Sequence, residues 1–162
     1  MTDMDNGKKS FEEVLAENGK LVYTSVGVSM MPLIREGRDV LVIEKRDIPA
    51  LKKYDAVLFR RENVKGRGEY VLHRILKILP DNKYWIVGDN DTAGEIVKST
   101  QILGVLTRML RDGKEYNFGG LGYKIYVFFR CTLYPARFFY MRGKRFTIYA
   151  VKAVMYKLKR RG

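Results

Sequence analysis

Three short segments of this chain hold residue types that could carry out nucleophilic catalysis. Ser29 stands in Gly27-Val-Ser-Met-Met-Pro32, just after an apolar run, with a proline three residues on that fixes the chain direction beyond it. His73, the only histidine, lies in Tyr70-Val-Leu-His-Arg-Ile-Leu76. Asp89, Asp91 and Glu95 follow in Val87-Gly-Asp-Asn-Asp-Thr-Ala-Gly-Glu95. A neutral imidazole with an ordinary pKa of about 6.5 can take a serine proton at neutral pH when the two groups lie about 3 Å apart, and an acid on the other ring nitrogen holds the ring in place. Taken singly, each segment also has a plain structural reading. Ser29 is then a turn serine, His73 a strand residue on the face of Val71 and Ile75, and the acidic segment a loop of common turn formers.

Such groups need rigid elements beneath them. Ser10-Phe-Glu-Glu13 has capping-box spacing and Asn18-Gly19 a helix stop, which predicts a short N-terminal helix. From Lys20 onward, runs rich in Val, Ile, Leu and Tyr alternate with turn residues. They predict strands over 21–27, 39–45, 54–60, 69–78, 83–87 and 101–110, without the intervening helical periods of a parallel α/β sheet. Arg111-Asp-Gly-Lys114 reads as a hairpin turn and Asn117 to Gly122 as a hinge. Beyond it, Ile148, Val151, Met155 and Leu158, with Val154, share one arc of a basic amphipathic helix. The expected organisation is an N-terminal helical arm (1–20), a β domain (21–116) and a basic, aromatic helical tail (117–162).

Composition sharpens the division. The chain has 162 residues, 46% of them hydrophobic, enough for one domain with a buried core, and a net charge of +13. Residues 121 to 162 hold eleven Lys and Arg and no acid, so nearly all of that excess lies in the tail, together with eleven of the twenty aromatic residues. One cysteine, Cys131, and one histidine leave no intramolecular disulfide and no ligand set for a structural zinc, which needs about four. The first twenty residues are polar and acidic where a secretory signal needs an apolar run. The most apolar stretch, 121 to 141, is broken by Lys124, Arg130, Pro135 and Arg137, so no conventional transmembrane helix is expected.

In order along the chain, Ser29-Met-Met-Pro32, Gly37-Arg-Asp39 leading into Val40-Leu-Val-Ile43, Tyr54-Asp-Ala-Val57, His73-Arg74, Gly88-Asp-Asn90 and Ile102-Leu-Gly-Val105 resemble the successive boxes of the signal peptidase I superfamily, the S24/S26 serine peptidases. The resemblance covers roughly residues 21 to 110. It implies a mainly β, signal-peptidase/LexA-like coiled sheet domain, with Ser29 as nucleophile and His73 at the position of the general base, as in the Ser-His members. Glu95 matches the aspartate that completes their site, one methylene longer, with Asp89 and Asp91 as rivals. Gly27 stands where many members carry an oxyanion-hole serine, which leaves the Ser29 amide and other donors for that role. Gly37-Arg-Asp39 carries one inserted residue relative to the family's Gly-Asp.

The expected function is therefore a serine endopeptidase that cleaves a peptide or precursor segment bound as an extended strand, with no metal or organic cofactor. The tail suits the interface of an anionic membrane, so residues 121–162 are expected to hold the protein peripherally on the inner, cytoplasmic face; the plain alternative is that the tail packs on the β domain with its charges solvated. A reading from another class is a non-catalytic module binding membrane or nucleic acid on a decayed peptidase fold. A LexA-like self-cleaving regulator is the third, disfavoured because the only Ala-Gly pair, Ala93-Gly94, follows the serine.

Overall fold

The computed structural model describes residues 9–62, 68–136 and 138–139. Helix α1 (Phe11–Asn18) forms where the capping box places it. Ser10 Oγ accepts from the Glu13 amide at 3.2 Å, the Glu13 carboxylate accepts from the Ser10 amide at 2.7 Å, and Gly19 closes the C-terminus on the Leu15 carbonyl. Leu15 is buried, and Phe11 stacks on Tyr70 with ring centroids 4.5 Å apart, so the helix lies against the sheet through its apolar side.

Eight strands follow: β1 (Lys20–Thr24), β2 (Asp39–Glu44), β3 (Ala56–Glu62), β4 (Gly68–Leu79), β5 (Lys83–Val87), β6 (Gly94–Lys98), β7 (Ile102–Arg111) and β8 (Lys114–Glu115). They form one sheet in the order β1-β2-β7-β3-β4-β5-β6, with β8 paired to β7, and every pairing is antiparallel. The protein is thus mainly β, and the Arg111 to Lys114 turn is the predicted hairpin. Two expectations need correction. The strand predicted over 21–27 ends at Thr24, because the chain turns at Ser25 to Met30 instead of pairing further. Residues 94–98, for which no strand is predicted and of which Gly94 and Glu95 close the segment read as a loop, form β6 on the free side of β5.

Both faces of the sheet are covered, which is why its central strands read as unbroken apolar runs. On one face Leu41, Ile43, Leu58, Leu72 and Met109 pack with Leu15, Leu33 and Ile34. On the other lie Val57, Phe59, Val71, Ile75, Ile86, Val97 and Val105. Alternation along β4 puts His73 on this second face, as its spacing from Val71 and Ile75 predicts.

The segment read as a hinge forms a turn. Asn117 Oδ1 accepts from the Gly119 amide at 2.9 Å, and helix α2 (Leu121–Thr132) starts directly after Gly120. Tyr123 and Tyr126 of α2 pack on the first core, beside Tyr116 and Phe118. No helix among the described residues is long and apolar enough to cross a membrane. The amphipathic helix expected around 148–158 lies outside the described residues.

Candidate active site

Ser29 sits in the turn that links β1 to the loop before β2. The Met31 amide donates to the Val28 carbonyl at 3.1 Å and the Ile34 amide to Met30 at 3.0 Å, while Met30, Leu33 and Ile34 are buried beneath. The loop is clamped at its far end by Asp39, a fully buried carboxylate at the start of β2. Asp39 accepts from the Arg35 amide (2.8 Å), from Arg38 Nε (2.9 Å) and Nη2 (2.6 Å), and from Arg111 Nε (3.1 Å); both guanidinium groups also donate to the Leu33 carbonyl. Burial by itself raises the Asp39 pKa, but these donors outweigh it and hold the carboxyl below its ordinary value. Gly27, where the resembling family often has serine, has φ +102°, a backbone conformation that an L side chain rarely adopts, and its amide donates to Glu36 Oε2 at 3.0 Å.

His73 stands opposite Val57 on β4, 6% exposed, with its ring edge-on to Phe59 at 5.9 Å. Its two nitrogens face two acids. Nδ1, buried and without a hydrogen-bond partner, is 3.5 Å from Glu95 Oε1; Nε2 is 3.5 Å from Asp91 Oδ2. Glu95 reaches the ring because β6 pairs it with Ile86, and Arg61 Nη1 holds the same Oε1 at 3.2 Å while its Nη2 binds Glu69 at 2.9 Å. Burial pushes the His73 pKa below its ordinary value. Asp91 and Glu95 pull it up, Arg61 pushes it further down, and the balance is a lowered pKa, so the ring is neutral at neutral pH.

Asp89 occupies a different position. Its carboxylate forms a two-point pair with Arg74, Oδ1 to Nε at 2.8 Å and Oδ2 to Nη2 at 2.7 Å, with both residues buried. Arg74 also donates to the Tyr54 carbonyl at 2.9 Å and to Tyr123 Oη at 3.2 Å, and Tyr126 Oη donates to Asp89 at 2.8 Å. The pair fixes the start of the loop whose next residue, Asn90, donates its amide to the Ser29 carbonyl at 2.6 Å. Asp89 thus organises the junction between the serine turn and the acidic loop.

Gly88 lies where these parts converge. A methyl group on its Cα would stand 2.8 Å from the Ser29 carbonyl oxygen and 3.0 Å from His73 Nε2, and would overlap the Asp91 carboxylate. Gly88→Ala is expected to push the serine turn away from the imidazole. Because the Ser29 carbonyl it would strike is backbone and cannot yield cheaply, the variant should also lose stability, and a lowered midpoint in a thermal melt checks the arrangement.

Ser29, His73 and Asp91 line one cleft of about 360 Å³, with Tyr23, Arg61 and Tyr70 on its walls. Glu95 lies behind the ring. A larger apolar cleft of about 560 Å³, lined by Trp85, Cys131, Tyr134 and Phe138 among others, opens between the sheet and the segment after α2 and contains none of these groups. The fold therefore brings together Ser29, His73, Asp91 and Glu95, and gives Asp89 to Arg74. Among the described residues, Ser29 and His73 share no hydrogen bond. Sequence reasoning missed the parts played by Arg61, Gly88, Tyr123 and Tyr126. Only Gly88 had a local signal, within Gly88-Asp-Asn90; the others reach the site through strand register and helix docking. No group of His, Cys, Asp and Glu among the described residues is arranged to hold a metal ion. No protein-family model matches the chain, and neither a curated protein nor a solved structure matches it.

Proposed function

We propose that this protein is a serine endopeptidase of the Ser-His kind, similar to signal peptidase I, acting on a peptide or precursor segment held in extended form in the cleft. The observation that supports this reading best is the state of His73. It is buried, neutral at neutral pH, backed on Nδ1 by Glu95, and its Nε2 side opens on the cleft that Ser29 lines.

In this mechanism Ser29 Oγ attacks the scissile carbonyl while His73 Nε2 takes its proton. The imidazolium then gives that proton to the leaving amine, and a water molecule repeats the sequence on the acyl-enzyme. Glu95, 3.5 Å from Nδ1 and not hydrogen-bonded to it in the free protein, closes on the Nδ1 proton in the complex and stabilises the imidazolium. The oxyanion falls to the Ser29 amide, one donor fewer than where a serine replaces Gly27, a difference of about 10²–10³ in rate. Asp91 lies on the Nε2 side, so the bound substrate must draw Ser29 toward the ring past this carboxylate. Catalytic hydrogen bonds that are long in the free enzyme commonly tighten in the complex.

A mixture of synthetic peptides, incubated with the protein and read by mass spectrometry for cleavage sites, tests this reading. Cleavage by the wild type and none by Ser29→Ala is the expected result. No cleavage by the wild type, or equal cleavage by Ser29→Ala, overturns it. The pH profile is a second expectation. Because the folded pKa of His73 lies below about 6.5, kcat/KM stays level through neutral pH and falls only as pH drops through that lowered value. Arg61→Met, which removes a cation that holds the value down, should move the acid limb to higher pH.

A further inference from the structure

Helix α2 has two unlike faces. The inner face is bound to the site: Tyr126 donates to Asp89, Tyr123 Oη accepts from Arg74, and Arg130 donates to the Met31 carbonyl at 3.1 Å, two residues after Ser29. Cys131 is buried on the same side. The outer face carries Leu121, Ile125, Phe128, Phe129 and Leu133, at the i, i+4, i+7, i+8, i+12 spacing of one helical stripe. Each of these side chains is between 47% and 74% exposed. Single exposed apolar residues are ordinary, but a contiguous stripe of two Phe, two Leu and one Ile marks a contact surface.

Charge identifies the occupant. No acidic residue follows Glu115, eleven Lys and Arg lie between 121 and 162, and Lys124 flanks the stripe on α2 itself. An apolar, aromatic face set in acid-free, cationic chain is complementary to the headgroup and acyl boundary of an anionic bilayer. Nucleic acid fits less well, because the stripe presents no cation for phosphates, and Leu121, Ile125 and Leu133 offer no ring on which a base can stack.

We infer that the outer face of α2 is a membrane-docking surface, inserted among the acyl chains of an anionic bilayer. The inner face then holds the serine turn and the Gly88 to Asp91 loop at about one helix diameter, some 10 Å, from that boundary. Docking does not depend on the peptidase reading, and its test needs no activity.

The test uses the full chain with vesicles of phosphatidylglycerol and phosphatidylethanolamine, compared with phosphatidylcholine vesicles, in co-sedimentation at low and high salt. The wild type should bind the anionic vesicles, and part of the binding should survive high salt, since buried apolar surface is not screened whereas charge attraction is. Phe128→Gln with Phe129→Gln, at two exposed positions, should lower the salt-resistant partitioning about tenfold for each ring removed and leave the thermal midpoint unchanged. Vesicle binding equal to wild type overturns the inference. So does a thermal midpoint that falls by several degrees, which would mean that another part of the chain covers the stripe. A wild type that is dimeric, with a monomeric double variant, would make it a self-interface, and single-stranded oligonucleotide binding lost in the double variant would assign it to nucleic acid; both overturn the inference.

Discussion

Ser29→Ala should lower peptide turnover by at least about 10³-fold while leaving the denaturation midpoint within the spread of ordinary surface substitutions. Ser29 lies on a turn whose shape is set by backbone bonds and by the Asp39 clamp, not by its own hydroxyl, so removing Oγ takes away the proposed nucleophile without loosening the loop. His73→Ala should cost a comparable factor in turnover, because in the proposed mechanism the two groups act as one unit and their losses do not add. The double variant is therefore expected to be no slower than the slower single variant. The acids should separate as well. Glu95→Gln removes the charge behind Nδ1 and should lower kcat more than KM, whereas Asp91→Asn removes the carboxylate that faces Nε2 and should lower kcat little. Steady-state kinetics with a cleaved peptide checks all five variants. Equal and large losses for Asp91→Asn and Glu95→Gln would mean that the ring turns over during catalysis and that neither acid has a fixed role.

The second large effect is on stability. Asp89→Ala should destabilise the protein by about 3–5 kcal/mol, since it leaves the fully buried guanidinium of Arg74 without its counter-charge. Burial disfavours the charged form of Arg74, but the two bonds and the charge of Asp89 outweigh it, so the guanidinium stays protonated. Tyr126 would lose its acceptor at the same time. Burial, with the Asp89 charge beside it, pushes its hydroxyl pKa up and keeps it a donor. For a chain of this length the drop corresponds to roughly 10 °C in thermal midpoint, and denaturant melts measure it directly. Asp89→Asn, which keeps the shape and one acceptor oxygen, should recover part of the loss. If Asp89→Ala melts like the wild type, the Arg74 pair contributes nothing to holding α2 and the acidic loop together.

Much of this architecture was legible in the sequence because it rests on local rules. The capping box at Ser10 and Glu13 needs only four consecutive residues, and the two-residue period around His73 assigns its face without reference to any partner strand. Residues 94–98 escaped the same treatment. Gly94-Glu-Ile-Val-Lys98 is short, begins on a residue that usually marks a turn, and becomes a strand because β5 offers it an open edge. Helix α2 falls inside the segment expected to be a helical tail, but its docking on the β domain was hidden. Its inner face is lined by Tyr123, Tyr126 and Arg130 in place of aliphatic residues, so its apolar stripe points outward and its period does not describe a core face.

At the site, chain order alone supplies the candidate reactive groups: one serine before a proline-fixed turn, one histidine in mid-strand, and three acids after the fifth strand. The fold is what sets the three acids apart in position. Asp89, Asp91 and Glu95 lie within seven residues of one another and are alike in chemistry, so nothing local tells them apart. The turn at Gly88 sends Asp89 inward to Arg74 and leaves Asp91 on the cleft, while the β5–β6 register carries Glu95 behind the imidazole. The lowered pKa of His73 likewise belongs to no residue alone, since it comes from the packing of Val57, Phe59 and the neighbouring strands around a ring whose charged form water would otherwise stabilise.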